Sequence, residues 1–235
     1  MIDHDRSIIV APDVTKIDQF KKTVKATYDV EGIGGYKIGF GLTLPYRIEE
    51  IVKVARKYTK KPIINDHQKA CTDVPHTGEL FATIMDESKI DAAILFPREN
   101  DEVTQYMWTK SLQKKGVGVL VGAELTSRPA TKETEQVYWN SVYQGVTNFV
   151  VPGNKPERVE FYRKKFEDFG IEASLFAPGF VDQGGEITKA GEVAGERFHA
   201  IVGRGIINPN KKKNILDVTV EEMHEAAKQM TSQII

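Results

Sequence analysis

Eight short apolar runs, none strictly alternating with polar residues, most narrow the folds open to this 235-residue chain. They are Ser7–Asp13 (SIIVAPD), Gly35–Phe40 (GYKIGF), Pro62–Asp66 (PIIND) and Ala92–Pro97 (AAILFP). Then come Val117–Glu124 (VGVLVGAE), Asn148–Gly153 (NFVVPG), Glu172–Gly179 (EASLFAPG) and Phe198–Gly205 (FHAIVGRG). A strand covered on one face shows a polar residue at every second position, whereas a near-continuous apolar run is a strand covered on both faces, as in a parallel sheet. Longer amphipathic stretches separate the runs. LPYRIEEIVKVARKYTK gathers Ile48, Ile51, Val52 and Ala55 on one helical face. KPERVEFYRKKFEDFG repeats the pattern with Val159, Tyr162 and Phe166 and ends at Gly170, a residue suited to a helix C-cap. VTVEEMHEAAKQM reads as a closing helix with Thr219 as its N-cap.

Eight strands, seven connections and a terminal helix predict a (β/α)8 TIM barrel. No Pro/Gly/Ser linker, low-complexity tract or charge run divides the chain, so a single domain over residues 1–235 is expected. The rival is an open doubly wound sheet; one that binds a dinucleotide carries a Gly-rich turn after its first strand, and APDVTK has none. A formal net charge of -1 provides no overall basic field for nucleic acid or anionic lipid. The one cysteine, Cys71, rules out an internal disulfide and suits a reducing cytoplasm. No apolar run approaches the roughly 18 residues of a membrane helix, and MIDHDRSIIV is too acidic for a secretion signal. A soluble cytoplasmic protein is expected.

In a barrel, chemistry gathers at the C-terminal ends of the strands. The polar residues at those places are Asp13 after the first run, Lys37 within the second, Asp66, Lys69 and Asp73 after the third, and Arg204 after the eighth. Each has a plainer reading. Asp13 can cap a following helix, Lys37 in an apolar strand can serve a structural ion pair, and Asp66 with Lys69 can be a surface pair. His67 and His76 match no zinc spacing, and Cys71, with no activating base near it in sequence, reads as a packing residue. A second cluster, APGFVDQGG (Ala177–Gly185) followed by VGRGI (Val202–Ile206), places glycines after strands seven and eight, where backbone N–H groups can approach an anion and Arg204 can add a bidentate guanidinium. Those are the consecutive loops that seat phosphate in this architecture. The spacing therefore points to a phosphorylated small molecule beside a Lys/Asp array.

The ordered set APDV, YKIG, DHQKACTDVP, APGFVDQGGEI and VGRGI resembles the orotidine 5'-phosphate decarboxylase family across nearly the whole chain. The resemblance implies decarboxylation of orotidine 5'-monophosphate to uridine 5'-monophosphate, a step of pyrimidine biosynthesis, with no metal and no cofactor. It implies that Lys69 donates the proton to C6 of the pyrimidine, that Asp66 crowds the substrate carboxylate and orients Lys69, and that Lys37 bridges Asp66 and the ribose. Asp13 would bind ribose hydroxyls. Asp73 and Thr77 would reach into the neighbouring site of a homodimer. Pro178, Gln183, Gly203 and Arg204 would line the phosphate seat, under a lid from Phe180 to Glu186. The loop ELTSRPA offers Thr126 or Ser127 to the base, with Ser127 favoured. One departure stands out: the family's Asp-x-Lys-x-x-Asp is here Asp66-x-x-Lys69-x-x-x-Asp73, one residue longer in each gap. Inside a strand that shift would turn Lys69 to the other face; past the strand end, a bulge or tight loop absorbs it. Two other readings remain: a metal-dependent sugar-phosphate decarboxylase or aldolase of the same superfamily, and a nucleotide-binding homologue without turnover.

Overall fold

The structure, a computed structural model, describes residues 2–234. Its strands are β1 (Arg6–Val10), β2 (Ile33–Gly39), β3 (Ile63–Asp66), β4 (Ala92–Leu95), β5 (Gly118–Gly122), β6 (Asn148–Val150), β7 (Ser174–Ala177) and β8 (Phe198–Val202). They close into one barrel in chain order, and all eight neighbouring pairs are parallel, β8 returning to β1 through Arg6↔Phe198 to Val10↔Val202. The helices are α1 (Ile17–Thr27), α2 (Phe40–Thr43), α3 (Ile48–Ala55), α4 (Thr77–Glu87), α5 (Glu102–Lys114), α6 (Lys132–Tyr143), α7 (Pro156–Asp168), α8 (Ile187–Ala194), α9 (Arg204–Ile207) and α10 (Val220–Thr231). The expected (β/α)8 TIM barrel is the fold observed. Most runs leave the sheet earlier than the apolar pattern suggests. Pro12, Pro97, Pro152 and Pro178 explain four of these early exits, because proline has no N–H to give a ladder.

Two apolar layers follow from strand parity. Inward-facing Ile9, Ile64, Ile94, Leu120, Val150, Phe176 and Ile201 fill the barrel, while alternate residues such as Ile8, Ile38, Phe149 and Phe198 pack against the helices. Burying each such side chain contributes about 1.5–3 kcal/mol. Between α6 and α7 the outer layer is aromatic: Tyr138 and Tyr162 lie 4.7 Å apart, and Phe149 and Phe166 stack at 4.1 Å. The parity of β2 depends on a bulge. Ile8 pairs with Ile33 but Ile9 with Gly35, leaving Gly34 as an extra residue. Only glycine fits there, since a Cβ on Gly34 would overlap Ser7 Oγ and one on Gly35 would lie 2.8 Å from the Pro62 carbonyl. The bulge lets Tyr36 face the helices and Lys37 face the barrel interior.

The helix ends match their sequence signals. Thr219 accepts from the Glu222 N–H while Glu222 answers the Thr219 N–H, a reciprocal cap on α10. Gly170 takes φ +69 after α7, and Ile171 N–H bonds back to Phe166. Asp13 caps nothing: α1 starts four residues later, after Lys16, with no side-chain cap. Among the described residues, no helix is long and apolar enough to cross a membrane.

Candidate active site

Lys37 and Asp66 meet inside the mouth of the barrel. Gly39 pairs with Asp66 and Lys37 with Ile64 across β2 and β3, so the two charged residues share the inward face one step apart. Lys37 Nζ donates to Asp66 Oδ2 at 2.5 Å, and the two side chains are only 10 % and 11 % exposed. A charge so enclosed is held by its partner, and removing either leaves the other uncompensated. Asp66 Oδ1 accepts from Gln68 Nε2 at 2.6 Å. Asp13 stands beside this pair: a Cβ on Gly39 would lie 3.5 Å from its Oδ1 and one on Gly203 3.7 Å from its Oδ2. The carboxylate thus hangs over the ends of β2 and β8, exposed to solvent.

The longer Asp66-Lys69-Asp73 spacing is absorbed beyond the strand. Asp66 is still in register, opposite Ile94 of β4. The chain then folds inward: Ala70 N–H bonds to His67, the Ala70 carbonyl accepts from Phe96 N–H, and Thr72 bonds to Lys69 through both N–H and hydroxyl. Ala70 and Cys71 are fully buried, with Cys71 in the left-handed region at φ 71. That conformation costs a non-glycine residue about 1–2 kcal/mol, which burial of the turn's apex offsets. Burial also pushes the Cys71 thiol up to about 12. Gln68, Lys69 and Asp73 are left exposed on the turn. Lys69 has no ion-pair or hydrogen-bond partner for its ammonium among the described residues, so the position two after Asp66, which is lysine in the family spacing, is here the glutamine that holds it. His67 stacks on Phe81 and is half-buried. Thr77 opens α4 and donates to Val74. Trp108 Nε1 also bonds to Val74, and Gly78 gives that indole room, a Cβ there lying 2.8 Å from it. Asp73 and Thr77 are therefore set on the rim by a turn braced against α5.

On the other side of the mouth, the loop after β7 closes on itself. Gly185 N–H bonds to Gly179 and Val181 N–H to Gly185, with Val181 at φ 68 and Gly179 and Gly184 at φ 110 and 81. Phe180 is buried against Gly153 and Phe198, so the expected lid is anchored at its start. Pro178 is half-buried, and its carbonyl accepts from Gly153 N–H. Gln183 is exposed. Arg204 reaches this loop, its Nε 2.7 Å from Asp182 Oδ2, while Lys211 Nζ lies 2.6 Å from Asp182 Oδ1. The contact from Lys211, with the positive charge of Arg204 adding to it, holds the Asp182 carboxyl below the usual carboxylate range.

The loop after β5 rests on a network that sequence reading missed. Glu124, just past β5, is 1 % exposed and takes Lys155 Nζ at 3.1 Å, Arg158 Nε at 2.8 Å and the Tyr162 hydroxyl at 2.8 Å. Lys155 also donates to the Leu125 and Arg128 carbonyls, and Asn154 to Thr126. Thr126 is half-buried against Gly179 and Ser127 is exposed. The available signals were an acid ending an apolar run and two cations after β6, none of which announces a shared partner. Asp182 and Gln68 were missed for the same reason.

Elsewhere, a concavity of about 960 Å³ opens at the opposite end of the barrel, with Arg56 paired to Asp91 and Lys89 to Asp86 along it. None of the candidate residues lines it. Among the described residues, no three His, Cys, Asp or Glu side chains are grouped to hold a metal.

No protein-family model matches the chain. The orotidine 5'-phosphate decarboxylase of Methanococcus maripaludis is 26% identical over 211 residues, covering 88% of this chain and 92% of that protein. Among solved structures, the Methanocaldococcus jannaschii orotidine 5'-monophosphate decarboxylase complexed with the inhibitor BMP superposes with a TM-score of 0.78 at 23% identity, covering 97% of this chain and 98% of the other. KGPDC from Streptococcus mutans shares the fold at a TM-score of 0.69 and 16% identity over 97% of each chain, so the barrel alone does not select the reaction. Along nearly its whole length, in sequence as well as in fold, the chain is a relative of the orotidine 5'-phosphate decarboxylases.

Proposed function

We propose that the protein is a carboxy-lyase that converts orotidine 5'-monophosphate to uridine 5'-monophosphate in pyrimidine biosynthesis, without metal or cofactor, in the cytoplasm. The observation that carries this reading is the enclosed Lys37–Asp66 pair facing into the mouth, across from the loop after β7 that Arg204 reaches through Asp182. The phosphate of the nucleotide sits with Gln183, Arg204, the Gly203 backbone and Pro178, the ribose with Asp13 and Lys37, and the base with Ser127. The C6–carboxylate bond breaks, CO2 leaves, and the electron pair stays on C6 until the Lys69 ammonium gives it a proton. Lys37, fixed by Asp66 before substrate arrives, supplies positive charge with little reorganisation. Asp66 crowds the departing carboxylate. Phosphate binding far from the reacting bond helps drive closure of the residue 180–186 loop.

A homodimer completes the site, with Asp73 and Thr77 serving the neighbouring protomer. Support comes from the outer face of α4 and α5 and the turn before α4, where Leu80, Ile84, Val103, Tyr106 and Met107, with Val74 of the turn, are all exposed, between 40% and 64%. Helix spacing puts Leu80 with Ile84, and Val103 with Tyr106 and Met107, on common faces, beside the rim that carries Asp73. An apolar face of that kind marks an interaction surface.

The test is loss of orotidine 5'-monophosphate absorbance with wild type and Lys69→Ala, with and without EDTA. Turnover that survives chelation and disappears in the variant is expected. Loss of activity with EDTA would select the metal-dependent reading. One observation favours the non-catalytic reading: Gln68, rather than Lys69, contacts Asp66. Tight binding of uridine 5'-monophosphate with no turnover by the wild type would establish it.

A further inference from the structure

We infer that Lys211, in the connection after α9, is a second cation of the phosphate seat, and that Asp182 positions it together with Arg204. The inference rests on the nucleotide reading above and adds a specificity residue to it. Asp182 draws two cations from separate stretches of chain onto the loop after β7, Arg204 through Oδ2 and Lys211 through Oδ1. The exposures are lopsided: the Asp182 side chain is 16% exposed, the Arg204 and Lys211 side chains 68% and 62%. The acid is turned in and the cationic ends are turned out.

Charge accounting gives Lys211 its role. Asp182 cancels the one charge that Arg204 brings, so a seat built from those two residues alone would be neutral. Lys211 restores a net positive charge. Arg204 uses Nε on Asp182, which leaves the two terminal nitrogens as a fork for two phosphate oxygens. The Lys211 ammonium has three donors, and Asp182 Oδ1 is the acceptor it meets. Its position is set locally by a turn in which Lys213 N–H bonds to the Asn210 carbonyl and Lys212 N–H to Asn210 Oδ1. The adjacent Lys213 is tied to Glu222 at 2.8 Å, so it is occupied elsewhere. The plainer reading is a surface latch that only holds the loop, and exposed ion pairs of that sort contribute little.

Equilibrium binding of uridine 5'-monophosphate and of uridine separates the two. Lys211→Gln should weaken the nucleotide about tenfold or more, as for loss of a hydrogen bond to a charged group, and leave the nucleoside unchanged. Lys211→Arg should keep most of the nucleotide affinity. kcat/KM for orotidine 5'-monophosphate should fall in Lys211→Gln by at least the factor lost in nucleotide affinity. Unchanged nucleotide affinity, or an equal loss for nucleotide and nucleoside, would overturn the inference. A wild type that binds the nucleotide in a Lys211-dependent way without turnover would sink the decarboxylase reading and leave this one standing. A wild type that binds neither compound overturns both.

Discussion

Lys37→Met takes one partner from an ion pair about nine-tenths withdrawn from solvent. Breaking a buried pair from one side costs about 3–5 kcal/mol, because the surviving charge has lost both water and partner. Asp66 keeps Gln68 on its other oxygen, which places the expected loss near the low end, about 3 kcal/mol. Asp66→Leu strands the ammonium, which has no second acceptor among the described residues, and should cost at least as much. The double variant Lys37→Met/Asp66→Leu has neither charge and fills the space with apolar atoms, so its stability should lie within about 1 kcal/mol of wild type. The cycle then shows a coupling of about 5 kcal/mol or more between contacting residues, the two single losses less what the double variant keeps. Urea denaturation at fixed protein concentration measures all four corners, the fixed concentration mattering because assembly shifts apparent stability. All three variants should lack turnover, and the double variant should be folded and inactive. Two single losses below about 0.5 kcal/mol that simply add would refute the reasoning, since such behaviour belongs to a solvated pair.

Burial, with the charge of His4 adding to it, lowers the pKa of His199 to about 4 from an unfolded value of 6.5. The folded protein thus holds it neutral where the unfolded chain takes up a proton. Its contribution is intact above pH 6.5 and is lost as pH falls toward 4, amounting to about 2 kcal/mol between pH 7 and pH 5. His199→Gln should flatten the urea midpoint over that interval, and an unchanged pH slope would exclude His199 as its source. Moving the lysine tests the altered spacing: Lys69→Ala should abolish turnover, and adding Gln68→Lys, which puts an amine where Asp66 Oδ1 already has a partner, should restore measurable turnover. An unchanged kcat in Lys69→Ala would remove that residue from the chemistry. If the proposed dimer forms through α4 and α5, Leu80→Glu with Tyr106→Glu should give a monomer in light scattering and abolish activity, whereas an active monomer would refute the shared site. Mixed inactive Asp73→Ala and Lys69→Ala proteins should regain part of the activity through hybrid dimers, because each hybrid carries one intact site.

The fold was legible because a parallel barrel writes itself into local pattern: each strand is apolar on both faces, and each helix shows one apolar stripe. Strand ends were less so, since apolar character continues past the last ladder bond wherever a proline follows. Asp13, Lys37 and Asp66 could be placed at the mouth because they fall within or just after apolar runs whose C-terminal ends gather the chemistry of a barrel. Lys37 still depended on something the pattern does not reveal, the Gly34 bulge that fixes its parity. The partners of the candidate residues were not legible at all. Nothing in the spacing says that Gln68 holds Asp66, that Asp182 lies between Arg204 and Lys211, or that Glu124 gathers cations from the start of α7. Those contacts join residues up to 34 positions apart, and they depend on how loops meet.

The apolar filling of the barrel is also part of the electrostatics. Ile9, Ile64, Ile94, Leu120, Val150, Phe176 and Ile201 lie in the interior, all at most 7% exposed, and Lys37 and Asp66 share that inward face near the strand ends. Beneath the pair lie these apolar side chains, while Asp13 beside it at the mouth is exposed. The field of a charge with a weakly polarisable floor and an open ceiling is focused toward the opening. A hydrated barrel of the same geometry would screen Lys37 from every side. The side chains that close the barrel therefore also sharpen its polar mouth, and a polar substitution deep in the barrel, such as Leu120→Asn, should weaken ligand binding at the mouth as well as the fold.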